Sequence, residues 1–115
     1  LFIDASEEQI KLAKEIGADI VEIHTGEYCR KINYHEDGQN ELERIKEAAI
    51  FADEIGLELH LGHGITFDSV KELSKIKEVK EFNIGHFIIS ESVFIGLQNS
   101  IAKFKEIIQE ERKNL

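Results

Sequence analysis

Apolar and polar positions along the chain change period repeatedly between two and about 3.6 residues, which marks strands alternating with helices. Leu1–Asp4 reads as the end of a strand. Ser6 then caps a helix with Gln9 three residues on; Ile10, Ala13 and Ile16 form its buried stripe and Gly17 ends it. Residues 19–25 read as a second strand, 57–61 as a third and 81–84 as a fourth. Between the second and third lies a helix capped by Asn40, with Leu42, Ile45, Ala48, Ala49, Ala52 and Ile55 inward and Gly56 as its stop. Thr66 or Asp68 starts a shorter helix carrying Val70, Leu73 and Ile76. A short helix-like segment, 87–94, leads through Gly96 into a last helix marked by Leu97, Ile101, Phe104, Ile107 and Ile108. The stretch 26–39 is polar and is expected to be a long βα loop, a length that often goes with function.

The strands carry a second message. Val21 and Ile23 alternate with Glu22 and His24, and Leu57, Leu59 and Leu61 alternate with Glu58 and His60. Phe82 and Ile84 alternate with Glu81 and Asn83. A doubly wound sheet buries both faces and reads as nearly continuous Val, Ile and Leu. Here one face is apolar and the other polar, so the helices are expected on one side only. A barrel interior fits the polar face. Four βα units in 115 residues are about half of an eight-stranded barrel, which takes about 250 residues. The fold class expected is therefore α/β: one segment, residues 1–115, forming the C-terminal half, strands five to eight, of a (β/α)8 TIM barrel. The chain starts at Leu, inside a strand, and is expected to be a piece of a longer polypeptide.

Charge narrows the partners. The net charge is −9, and the lysines are scattered along helix faces, so no basic footprint for nucleic acid is visible. No apolar run approaches the roughly 18 residues of a membrane span, and Leu1–Asp4, short and without basic residues, is not expected to be a signal peptide. A single cysteine, Cys29, excludes an internal disulfide and suits a reducing cytoplasm; spacing specifies no partner that would make it a nucleophile.

Candidate chemistry gathers where strands end, the edge at which parallel α/β proteins bind ligands. Glu22 is a carboxylate on the polar face, suited to stabilising a cation or moving protons, or else to an internal salt bridge. His63, between Gly62 and Gly64, is placed for acid–base work near neutral pH, or is a turn histidine. Gly64, Gly85 and His86 precede helices, and their backbone N–H groups suit an anion such as phosphate. Glu22, His24, His60 and His63 are spread over more than one strand without metal-ligand spacing, so a metal site is the minor reading and His24 and His60 are expected to be internal hydrogen-bonding residues. No dinucleotide fingerprint, P-loop or Ser/His/Asp pattern occurs.

Taken together, Phe2-Ile3-Asp4, Glu22-Ile23-His24-Thr25-Gly26, Gly62-His63-Gly64-Ile65-Thr66 and Asn83-Ile84-Gly85-His86 resemble the pyridoxine 5'-phosphate synthase family, over the whole chain but only the C-terminal half of the family's sequence. The resemblance implies a (β/α)8 barrel assembled as a homo-octamer, with no metal or organic cofactor. It implies condensation of 3-amino-2-oxopropyl phosphate with 1-deoxy-D-xylulose 5-phosphate to pyridoxine 5'-phosphate, phosphate and water. By motif, His63 matches the proton donor and Glu22 the transition-state stabiliser. Gly64, Gly85 and His86 match positions that bind the aminoketone phosphate. His60-Leu61 stand where the family usually has Asn-Ala, and the 27–39 stretch is idiosyncratic. The family's other acid–base histidine and glutamate lie in the first half, so these residues alone are expected to be inactive. Rival expectations are another phosphate-handling (β/α)8 isomerase or aldolase, and a non-catalytic half-barrel that associates through its sheet edges.

Overall fold

A computed structural model describes residues 1–113 and Leu115. Its order is β1 (Phe2–Ile3), α1 (Glu7–Glu15), β2 (Ile20–His24), α2 (Gly26–Asn33), α3 (Gln39–Glu54), β3 (Glu58–Gly62), α4 (Phe67–Ser74), β4 (Val79–Asn83), α5 (His86–Ile95) and α6 (Leu97–Glu111). The four strands are parallel and lie in sequence order, β1-β2-β3-β4. A doubly wound sheet reverses its strand order at a switch point; this sheet does not. The winding matches half of a (β/α)8 barrel.

The two sheet faces differ as the alternation demands. Val21, Ile23, Leu59, Leu61 and Val79 are buried beneath the helices with Ile10, Ala49, Leu73 and Phe104. The other face presents one row, Phe2, Glu22, His60 and Glu81, and above it a second, His24, Gly62 and Asn83. Lys80 breaks the register: Leu59 pairs with Val79 and His60 with Glu81, so Lys80 bulges out. The bulge lets Val79 and Phe82, three residues apart, both face the helices, and β4 begins two residues earlier than expected.

Helix ends follow from local chemistry. The Ser6 hydroxyl accepts from the Gln9 N–H, while Gln9 Oε1 accepts from the Asp4 N–H rather than from Ser6. Such a cap is worth about 1 kcal/mol. Thr66 and Ser69 form a reciprocal capping box at the start of α4. Arg112 donates to the carbonyls of Ser74, Ile76 and Val79, so the end of α6 is fastened to the α4–β4 turn.

Three expectations are corrected. Ile16 is exposed, because α1 ends at Glu15 and the chain turns away through Gly17 at φ +93°. The long helix starts one residue before Asn40: Gly38 is its cap residue, and Asp37 Oδ1 accepts from the Gln39 N–H. The stretch 26–39 is not a loop throughout, since 26–33 is α2. Tyr28 and Cys29 are buried on its inner side, and His35, at φ +58°, follows its last turn. Cys29 is thus a core residue, and burial pushes its thiol pKa up. No helix among the described residues is long and apolar enough to cross a membrane.

Candidate active site

The site is assembled at the carboxyl ends of β2, β3 and β4. Thr25, fully buried just after β2, is its anchor. The Thr25 hydroxyl reaches the carbonyls of Gly62 (2.9 Å) and His63 (2.8 Å), and the Thr25 N–H donates to Gly62 O. These bonds hold the turn after β3, in which His63 (φ +87°) and Gly64 (φ +77°) are both left-handed. Left-handed backbone is open to glycine but costs a histidine about 1–3 kcal/mol. His63 is therefore held in an unfavourable conformation by bonds from a neighbouring strand end, with its side chain exposed.

Small residues make room around it. A Cβ on Gly64 would meet Cys29 Cβ at 3.2 Å, so the turn lies directly on the first turn of α2. Asn33, at the other end of α2, accepts from the Thr66 hydroxyl at 2.8 Å and donates to Gly64 O at 3.5 Å. The helix that the polar sequence concealed thus braces the His63 turn at both ends.

Glu22 is placed by absence. Gly62 sits beside it on the polar face, and a Cβ there would lie 2.5 Å from Glu22 Oε2. The carboxylate lies across that gap and accepts from Asn83 Nδ2 on β4. One carboxylate so links β2 to β4 over the glycine of β3.

His63, Gly64, Gly85 and His86 line one open cleft of about 570 Å³, together with Asn33, Thr66, Asn83, Phe87 and Ser90. Glu22 is not in that lining and meets it through Asn83. Gly85 is the cap residue of α5 and His86 its first residue; both are exposed. Gly85 has φ −127°, and a Cβ on it would meet nothing within 4 Å. Neither backbone nor packing in this chain calls for glycine there. Helix N-termini carry free N–H groups and the positive end of the dipole, so the Gly85–His86 edge suits an anion.

His60 is an internal hydrogen-bonding residue, with Nε2 2.7 Å from Glu58 Oε2 and Nδ1 3.8 Å from Glu81 Oε1. His24 is internal too, but its Nδ1 accepts from the Gly26 N–H and its ring stacks on His63. Residue types alone did not single out Asn33, Asn83 or Ser90. Asn83 had one visible signal, its polar-face position opposite Gly62.

A parallel α/β sheet backed by helices on one face, with histidines, a carboxylate and a helix start gathered at its strand ends, is the class of a half-barrel α/β segment with a candidate site on one rim. The comparisons narrow this. The family model described as "Pyridoxal phosphate biosynthesis protein PdxJ" matches residues 1–110, and the chain belongs to that family. It is 52% identical over 113 residues to the pyridoxine 5'-phosphate synthase of Sulfurihydrogenibium sp. (strain YO3AOP1), covering 98% of this chain and 46% of that protein. It is 47% identical to the synthase of Pelagibacter ubique (93% of this chain, 45% of that one) and 42% to that of Ruegeria pomeroyi (97% and 46%). The chain spans about half the length of the curated relatives it matches.

Proposed function

We propose that residues 1–115 are a single α/β segment supplying the C-terminal half, strands five to eight, of a pyridoxine 5'-phosphate synthase. The reaction is the condensation of 3-amino-2-oxopropyl phosphate with 1-deoxy-D-xylulose 5-phosphate to pyridoxine 5'-phosphate, phosphate and water. The observation that carries this reading is the convergence of His63, Gly64, Gly85 and His86 on one cleft whose Asn83 holds Glu22.

The chemistry asks for this set. Joining the amine to the ketone as an imine, then losing hydroxyls as water, needs a proton delivered to oxygen at each departure. His63, on an exposed turn at the cleft, is the donor. Glu22 supplies negative charge beside the cleft for the cationic stages. Gly64 and the Gly85–His86 helix start hold the aminoketone's phosphate. In a chain of net charge −9, local N–H groups and the His86 ring supply the attraction that the overall field does not. Fixing each substrate by its phosphate uses binding energy remote from the bonds being made, which orients the reacting atoms. The working assembly in this reading is a cytoplasmic homo-octamer.

The test is an assay of the full-length protein carrying this chain, with both phosphorylated substrates, following pyridoxine 5'-phosphate and released phosphate. Equal amounts of both products, and none when either substrate is omitted, is the expected result. Phosphate release without ring formation, or turnover of the sugar phosphate alone, would overturn the reading.

A further inference from the structure

His24 sits in a stack that the proposed chemistry has not used. Its ring stacks on His63 (centroids 4.2 Å, 27°) and also meets Phe2 (5.1 Å, tilted 53°). Its Nδ1 accepts from the Gly26 N–H at 3.0 Å. A backbone amide can only donate, so the neutral ring carries its proton on Nε2 and cannot spin without losing that bond. Gly26 is the fourth member: a Cβ there would come within 2.6 Å of His63 Cδ2 and closer still to His24 Cε1. Gly26 has no left-handed φ, so close approach of the two rings is what calls for glycine.

We propose that His24 is a positioning residue for His63, a ring held by the Gly26 N–H on which the His63 imidazole stacks at the edge of the cleft. This rests on His63 being the proton donor proposed above. The logic is geometric. The turn fixes the His63 backbone, but its exposed side chain keeps rotational freedom. A flat neighbour 4.2 Å away removes most of that freedom. Phe2 also packs on His24, so the platform is supported from β1 as well as by its own hydrogen bond.

The test uses the full-length protein with both substrates. His24→Ala is expected to lower kcat by about tenfold or more, as small misplacements of a catalytic group do, with KM shifted by less than about twofold. His24→Phe keeps a flat ring in the stack and is expected to recover most of that kcat. Should His24→Ala fail to fold, His24→Asn replaces it: it keeps an acceptor but no ring, and the same loss is expected. Histidine-¹⁵N spectra at neutral pH are expected to show His24 with its proton on Nε2. A proton on Nδ1, a loss confined to KM, or a His24→Phe no better than the ringless variant would overturn the proposal. His63→Ala separates the two readings. Full turnover there overturns the proton-donor role and this proposal together. Lost turnover there with normal kcat in His24→Ala overturns this proposal alone.

Discussion

The turns after β3 and β4 both carry a Gly-His pair or its reverse on the cleft, and they are built oppositely. His63-Gly64 is left-handed, gripped by Thr25, braced by Asn33 and pressed on Cys29. Gly85-His86 is exposed, has an ordinary φ at the glycine, and has open space where a Cβ would stand. The first turn is specified by the chain's own packing. The second has a residue choice that the chain's own packing does not explain. A group that must present one atom in one direction needs the first kind of support. A backbone edge proposed to hold a phosphate through its free N–H groups does not need it.

Substitutions can break this contrast. His63→Ala is expected to reduce turnover of the full-length protein by about 10² to 10⁴, the usual range for a positioned acid, while leaving the melting temperature nearly unchanged. A large fall in melting temperature would mean that the ring serves the fold. Thr25→Val keeps the shape but leaves the Gly62 and His63 carbonyls without the hydroxyl, costing about 1–3 kcal/mol in chemical denaturation and lowering turnover with it. Normal stability in that variant would show the β3 turn to be held by something else.

Gly62→Ala sharpens the contrast from below. Its Cβ would collide with the Glu22 carboxylate, so a cost of about 1–3 kcal/mol and loss of the Asn83 bond are expected, read by urea titration and a crystal structure. Gly85→Ala should change stability by less than about 0.5 kcal/mol yet raise KM for the aminoketone phosphate. Equal losses of stability in Gly62→Ala and Gly85→Ala would erase the distinction between the turns.

The smallest effect concerns the brace. Burial, helped by the negative charge of Glu72, pushes the Tyr28 phenol from 10.0 up to about 12. A raised folded value favours the protonated form, so this stability is complete below pH 10 and is lost as pH climbs toward about 12. Tyr28→Phe is expected to flatten the alkaline decline in that window, and an unchanged decline would place its cause outside α2.

Much of the fold is legible in the order of residues alone. Alternation of period two in β2 and β3 determined which residues face the helices, because side chains on a strand point alternately to opposite faces. The strand-end glycines and histidines marked the rim, and Ser6 and Thr66 announced their helices through side-chain oxygens that cap orphan N–H groups. Helix α2 was hidden because eight residues with only Tyr28, Cys29 and Ile32 facing inward make too short an apolar stripe to stand out from a loop. Its stability is tertiary, since Tyr28 and Cys29 are buried only once the neighbouring helices and the β3 turn lie against them. The same holds for the Lys80 bulge and for the Glu22–Asn83 bond, which joins residues 61 apart in sequence. Local pattern determined faces and caps, whose physics spans a few neighbours. Distances across the sheet, and hence the stack that orients His63, were decided only when the strands came together.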